Sequence, residues 1–172
     1  LKDLYDGAYE KVKKKKENIK EFQEQEEAAK RSVDALKEFQ EYNSLLQGRS
    51  YDFSTQAPEG FIYELNKELA KVGAKLNWGT INLDPDNPRS TKFVTRLALS
   101  NFEDYSEDDL AEIEDVVSRV IDKLSVDYES QLNSAKEKIS QANHSIKNEY
   151  NSLAQSLSAW LYTDNDYKVL SD

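Results

Sequence analysis

Few side chains in this sequence could perform catalysis. His144 is the only histidine, and the chain has no cysteine. A cysteine nucleophile, a zinc–cysteine site and a disulfide framework are therefore excluded, and a histidine-based triad is hard to build. The chain also lacks a glycine-rich phosphate loop and a GxSxG motif. We expect no enzymatic activity, no cofactor and no metal site, and we interpret His144 as an exposed residue of a helix.

A short acidic segment, Asp84-Pro85-Asp86-Asn87, has the composition with which calcium-binding loops begin. Such a loop needs a glycine at its sixth position and a glutamate at its twelfth. Arg89 and Thr95 occupy those two positions. The segment therefore predicts a turn stiffened by proline rather than a calcium site.

Aromatic side chains are the remaining candidates for binding. Eight of them lie between residues 48 and 105. A segment of that size needs most of its aromatics for its own core, but tyrosine and tryptophan left at a surface are frequent anchors at protein interfaces. The candidate partner-binding residues are Tyr51, Phe53, Tyr63, Trp78, Phe102 and Tyr105.

The charge of the chain argues against a nucleic-acid partner. There are 33 acidic and 23 basic side chains, a net charge of −10, whereas nucleic-acid binding depends on basic side chains at the phosphates. A lysine run within residues 11–16 precedes several glutamates, which is typical of a solvated or partner-paired helix face. Residues 101–130 hold eleven acidic and two basic side chains, a net of −9. We interpret that segment as helix capping plus a solvated face; an acidic surface for a basic protein is the alternative.

Two long helices are predicted to position these residues. Apolar residues of the first recur at spacings of three and four from Leu1 to Leu36, and the helix is predicted to run to Gln47, after which Gly48 supplies a stop signal. The second begins at Ser106, an N-cap followed by three acidic residues, and keeps the same spacing to about Tyr162. The seam of the first helix comprises Leu1, Tyr5, Ala8, Val12, Lys15, Ile19, Phe22, Glu26, Ala29, Val33 and Leu36.

The seams of the two helices match in antiparallel order. The predicted pairs include Leu1 with Trp160, Val12 with Tyr150, Phe22 with Ile139 and Leu36 with Leu124. Because large residues of one seam often face small residues of the other, we predict an antiparallel two-helix coiled-coil hairpin. A second copy of the chain could cover the narrow seam, so a homodimer stays open.

The residues between the two helices follow a different pattern. Residues 51–60 are typical of a loop and residues 61–72 of a short helix that ends at Gly73. Residues 74–83 and 91–99 alternate as strands of a β-hairpin do. The sequence therefore predicts a mainly α, α+β fold, with a coiled-coil stalk (1–47 and 106–162), a small α/β head of helix plus β-hairpin (48–105) and a C-terminal tail (163–172).

These features favour a non-catalytic stalk-and-head interaction module that presents its head to a protein or cell-wall partner. The first residue, Leu1, suggests part of a longer protein, and the composition suggests the extracellular part of a membrane-anchored bacterial surface protein. Two alternatives remain open. One is a ligand-sensing regulatory input domain, and the other is an acidic cytoplasmic coiled-coil assembly factor or inhibitor that binds a basic protein.

Overall fold

Helices predominate in the computed structural model, which describes the backbone of residues 2–54 and 56–171 and their side chains up to residue 162. The elements are α1 (Lys2–Phe39), α2 (Asn43–Leu46), β1 (Tyr51–Asp52), α3 (Phe61–Leu69), β2 (Leu76–Asn82), β3 (Phe93–Leu99) and α4 (Glu107–Ser171). Single 3₁₀ turns follow α3, at Ala70–Val72, and precede α4, at Phe102–Asp104. The predicted mainly helical fold with a small sheet is confirmed.

The chain divides into two compact units. The helical unit consists of residues 1–27 and 132–172, so its described part is formed by the start of α1 and most of α4. The mixed unit, Ala28–Gln131, contains the sheet, α2, α3, the end of α1 and the start of α4. The mixed unit thus includes residues 28–47 and 106–131, which the sequence assigned to the stalk.

In the helical unit α1 and α4 pack together as a hairpin, as predicted. The Lys15 ammonium lies 3.2 Å from a carboxylate oxygen of Glu149. The Lys138 ammonium lies 5.7 Å from the centre of the Phe22 ring. Because the later residue of α1 meets the earlier residue of α4, the two helices run antiparallel.

The predicted seam of α1 is visible in the exposure of its side chains. From Ala8 to Leu36 every predicted seam position is buried or half-buried. At the ends the seam differs from the prediction, because Tyr5, Tyr150 and Trp160 are exposed. In α4 Glu149 is half-buried in place of Tyr150, where it can reach Lys15. The predicted pair of Leu1 with Trp160 lies outside the described residues.

The start of α4 has the predicted cap, and its end lies further along the chain than predicted. The Ser106 hydroxyl accepts a hydrogen bond from the Asp109 amide at 3.1 Å, and the Ser106 amide donates to the Asp109 carboxylate at 3.0 Å. This reciprocal pair satisfies two backbone N–H groups at the helix start. The helix continues past Tyr162 to Ser171, and Asp172 lies outside the described residues.

The sheet of the mixed unit has three antiparallel strands in the order β1-β3-β2. The predicted hairpin is β2 with β3, joined through turns in which the Asn87 amide donates to the Asp84 carbonyl. The strand β1 was predicted as loop. It forms because Tyr51 and Asp52 pair with Leu97 and Arg96, which is a long-range contact that no local pattern signals.

An aromatic cluster forms the core of the mixed unit. The ring of Phe39, at the end of α1, lies 5.5 Å from that of Phe53 and 5.0 Å from that of Phe61. All three side chains are fully buried. The helix α1 ends here rather than at Gln47, and the positive φ of Gly48 follows α2 instead. The cluster holds both α3 and the segment after β1 against the end of α1.

Candidate functional site

A cleft of about 520 Å³ lies in the mixed unit, between one face of the sheet, α3 and the segment after β1. Thr80 of β2 stands directly opposite Thr95 of β3, and Trp78 stands opposite Leu97. Residues two apart on a strand, and residues opposite each other on antiparallel strands, share one face. The register therefore places Trp78, Thr80 and Thr95 on one face of the sheet, and all three line the cleft.

The helix α3 forms one wall of the cleft because its apolar face is turned to the core. Phe61, Leu65 and Leu69 are buried, which leaves the neighbouring face of the helix for the cleft. That face contributes Ile62, Tyr63 and Asn66. The wall is tied to the sheet by the Asn66 amide, which donates to the Leu76 carbonyl at 3.1 Å and accepts from the Leu76 amide at 2.7 Å.

The segment after β1 forms the opposite wall. The Ala57 amide donates a hydrogen bond to the Thr95 hydroxyl at 3.1 Å. Closer to β1, both the amide and the hydroxyl of Ser54 donate to the Glu38 carboxylate. Gln56, Ala57, Pro58 and Gly60 line the cleft on this side, and Thr55 lies outside the described residues. The Ala57 bond ties this wall to β3, and the Ser54 bonds tie the same segment to α1.

The chemistry of the cleft suits binding rather than reaction. Among the described residues that line it, none carries a carboxylate, an ammonium or a guanidinium group. Two large aromatic side chains stand at its mouth: Tyr63 is 72% exposed and Trp78 is 62% exposed. An uncharged cleft with exposed aromatic rings favours stacking and hydrogen bonding with an uncharged ligand.

The structure brings together two of the six candidate partner-binding residues, Tyr63 and Trp78. Phe53 is a core residue of the aromatic cluster. Phe102 is half-buried against Gly48, so close that a side chain at Gly48 would meet the ring. Tyr105, also half-buried, follows the 3₁₀ turn before α4.

Tyr51 is the sixth candidate, and its ring packs edge-on against Phe39 and Phe53. Its hydroxyl is buried and has no hydrogen-bond partner in the described part of the chain. Burial, together with the nearby carboxylates of Glu38 and Glu41, raises the pKa of this phenol well above its ordinary value. The group is therefore a neutral phenol on a half-buried side chain that packs against the aromatic cluster.

Sequence reasoning missed the polar residues of the cleft, Asn66, Thr80 and Thr95. A signal was present for Thr95, since this polar residue falls on the apolar side of an alternating strand and is buried. Asn66 follows Ile62 by one helical turn, but nothing in the sequence indicates that its amide reaches β2. That contact depends on how α3 packs.

A second concave surface, of about 440 Å³, lies in the helical unit. It is lined by residues that include Tyr5, Tyr9, Lys13, Lys16, Lys20 and Tyr150. The lysine run of residues 11–16 is thus divided: Lys13 and Lys16 border this groove, while Lys15 pairs with Glu149.

The described residues contain no group of three or more His, Cys, Asp or Glu side chains that could hold a metal ion. His144 is exposed on α4, as predicted. No helix in this part of the chain is both long and apolar enough to cross a bilayer. In the acidic segment the Asp115 carboxylate pairs with Arg119, one helical turn away, at 3.2 Å.

Comparisons of the chain with protein-family models, with curated proteins and with solved structures give no match.

Proposed function

We propose that this chain is a non-catalytic interaction module whose cleft binds an uncharged stretch of a partner protein. The observation that carries the proposal is the pair of exposed aromatic rings, Tyr63 and Trp78, at the mouth of a cleft without charged side chains. Charged residues make up 33% of the chain, so an uncharged lining of this size is a departure from the rest of the molecule.

The energetics of protein interfaces support this use of the two rings. Tryptophan and tyrosine are the residue types that most often dominate binding energy, especially where they border a pocket that a partner can fill. The polar groups around them are already fixed: the Thr95 hydroxyl accepts from Ala57, and Asn66 is occupied by Leu76. A rigid site loses little conformational freedom on binding, which leaves more of the contact energy for affinity.

In this proposal the helical unit serves as a coiled-coil stalk and the mixed unit as the binding head. The three-and-four spacing of half-buried positions in α1 and the antiparallel contacts of Lys15 and Phe22 with α4 support the coiled coil. The setting is the extracellular part of a bacterial membrane or surface protein, and the lack of cysteine is compatible with it.

The test is a selection from a displayed random-peptide library on the full chain, with counter-selection on the double variant Tyr63→Ala with Trp78→Ala. We expect enriched peptides that bind the wild-type chain and lose about thirtyfold or more of their affinity for the double variant, as anchor residues do. Because both side chains are exposed, their removal should leave the thermal unfolding midpoint nearly unchanged.

Val126→Ala is the matched control, since Val126 is an exposed apolar residue of the mixed unit away from the cleft. The Val126→Ala chain should bind the enriched peptides with the same affinity as the wild-type chain. Peptides that bind the double variant as well as the wild type would overturn the proposal. So would a parallel screen on a glycan array in which only glycans bind through Tyr63 and Trp78, because that result assigns the cleft to a cell-wall ligand.

A further inference from the structure

The strand β2 forms an edge of the sheet, and it is the longer of the two edges. The sheet order β1-β3-β2 leaves β1 and β2 outermost, with two and seven residues respectively. Exposed edges are usually shortened, charged or interrupted by proline, because unpaired backbone groups recruit other strands. β1 is short, but Leu76–Asn82 contains no charged residue and no proline.

The hydrogen-bond pattern shows which backbone groups of β2 point outward. The Ser100 amide donates to the Lys75 carbonyl at 2.9 Å, and the Leu83 amide donates to the Lys92 carbonyl at 2.8 Å. In an antiparallel ladder the bonding residues alternate. Residues 75, 77, 79, 81 and 83 therefore face β3, and the N–H and C=O groups of Leu76, Trp78 and Thr80 point away from it.

Asn66 already occupies the first of these outward positions. Its side-chain amide donates to the Leu76 carbonyl and accepts from the Leu76 amide, which is the same pair of bonds that a residue of a neighbouring strand would make. For Trp78 and Thr80 no such partner is found in the described part of the chain. The edge is thus capped at one end and open beside the cleft.

We infer that the partner segment binds as an added β-strand along β2, paired with the outward backbone groups of Trp78 and Thr80. This inference rests on the proposed function and gives its binding mode. An added strand places alternate side chains on the face that holds Trp78 and Thr80, so those side chains enter the uncharged cleft. Backbone bonds supply affinity, and the cleft selects apolar or uncharged side chains.

The net charge of the mixed unit favours a strand from another protein over a strand from a second copy of this chain. The mixed unit, Ala28–Gln131, has twelve basic and twenty acidic side chains, a net of −8. Two copies paired through β2 would bring two such charges together, which opposes association. The segment that fits is extended, uncharged where it meets the cleft and basic at its flanks.

The experiment uses the full chain, labelled with nitrogen-15, and a synthetic probe peptide. The probe alternates valine and threonine between two flanking lysines, with both ends blocked. We expect it to slow exchange of the Trp78 and Thr80 amide hydrogens by about tenfold or more at saturation. Amides of residues 77 and 79, already bonded to β3, should change little.

Two matched reagents separate backbone pairing from side-chain binding. The first is the same peptide N-methylated at every inner residue, which keeps its side chains but cannot donate backbone hydrogen bonds. The second is Thr80→Pro, which removes one outward N–H without removing a bond to β3; Thr80→Val keeps that N–H and is its control. We expect the N-methylated peptide to bind about tenfold or more weakly than the unmodified probe, and Thr80→Pro to bind the probe about tenfold or more weakly than Thr80→Val does.

Strand addition is overturned if the probe does not bind at about 1 mM, if it binds without slowing exchange at Trp78 and Thr80, or if the N-methylated peptide binds equally well. Amide exchange is measured on the wild-type chain, so it tests strand addition even if Thr80→Pro fails to fold. Failure of the proposed function has a different signature. In that case the probe protects both amides in the wild type and binds Tyr63→Ala with Trp78→Ala just as tightly.

Discussion

Tyr51 shows how a single polar atom can be left without a partner in an otherwise apolar core. Its ring packs against Phe39 and Phe53, but its hydroxyl is buried and unpaired within the described residues. A buried unpaired hydroxyl opposes folding by about 1 kcal/mol or more. We predict that Tyr51→Phe raises the free energy of unfolding at neutral pH by about 1 kcal/mol, measured by urea denaturation.

The same residue makes stability depend on pH in the alkaline range. The pKa of Tyr51 is raised above its ordinary value of 10.0 by burial and by Glu38 and Glu41. The unfolded chain therefore loses this proton first as the pH rises above 10, and stability falls from there upward. We predict a weaker alkaline fall in Tyr51→Phe; burial also raises the pKa of Tyr42 and Tyr128, so part of the fall remains.

Tyr9→Phe is the control for both measurements, because Tyr9 is exposed on α1. It should leave the free energy of unfolding unchanged at neutral and at alkaline pH. A Tyr51→Phe chain less stable than the wild type at neutral pH would show that the hydroxyl has a partner after all.

Among elements, the long helices were predictable and the third strand was not. Spacings of three and four over many turns predict a helix strongly, because each turn repeats the same signal. The strand β1 has two residues and depends on pairing with β3, far along the chain. The residues of the cleft also differ in how predictable they were. Tyr63 and Trp78 could be predicted from residue type, but Asn66 and Thr80 become part of a site only because α3 packs beside β2.

Helix packing in the helical unit gives an element-scale prediction. Lys15 and Glu149 pair where apolar residues stand elsewhere in the seam, and their side chains are 28% and 24% exposed. An ion pair with that exposure contributes at most about 1 kcal/mol, and apolar residues in such positions often stabilise more. We predict that Lys15→Leu with Glu149→Leu raises the thermal unfolding midpoint, followed by circular dichroism.

Lys14→Leu is the control for that double variant, because Lys14 is exposed on the same helix and should give no gain. Glu149→Leu alone removes the partner of Lys15 and should gain less than the double variant. A double variant that melts below the wild type would mean that the ion pair is worth more than the apolar contact that replaces it.

At the scale of the whole molecule, the compact units of the structure and the stalk and head predicted from sequence divide the chain at different residues. The sequence assigned residues 48–105 to the head because glycine, proline and alternation begin and end there. The structure groups Ala28–Gln131 as one compact unit. The reason lies in side chains that the long helices contribute to its core, among them Val33, Leu36, Phe39, Ile113, Val117 and Val120.

This division predicts which fragment folds alone. Residues 28–131 keep Phe39 in contact with Phe53 and Phe61, so we expect cooperative thermal unfolding by circular dichroism and calorimetry. Residues 48–105 lack Phe39 and the buried face of α4, and a chain near that size is marginal even with a complete core; we expect no cooperative transition. Within residues 28–131, Phe39→Ala should lower the free energy of unfolding by about 3–5 kcal/mol, because the Phe39 ring packs against both Phe53 and Phe61. If residues 48–105 instead unfolded cooperatively with the same thermal midpoint as residues 28–131, the helical segments would add no stability to the sheet. The folding unit would then be the smaller segment, 48–105.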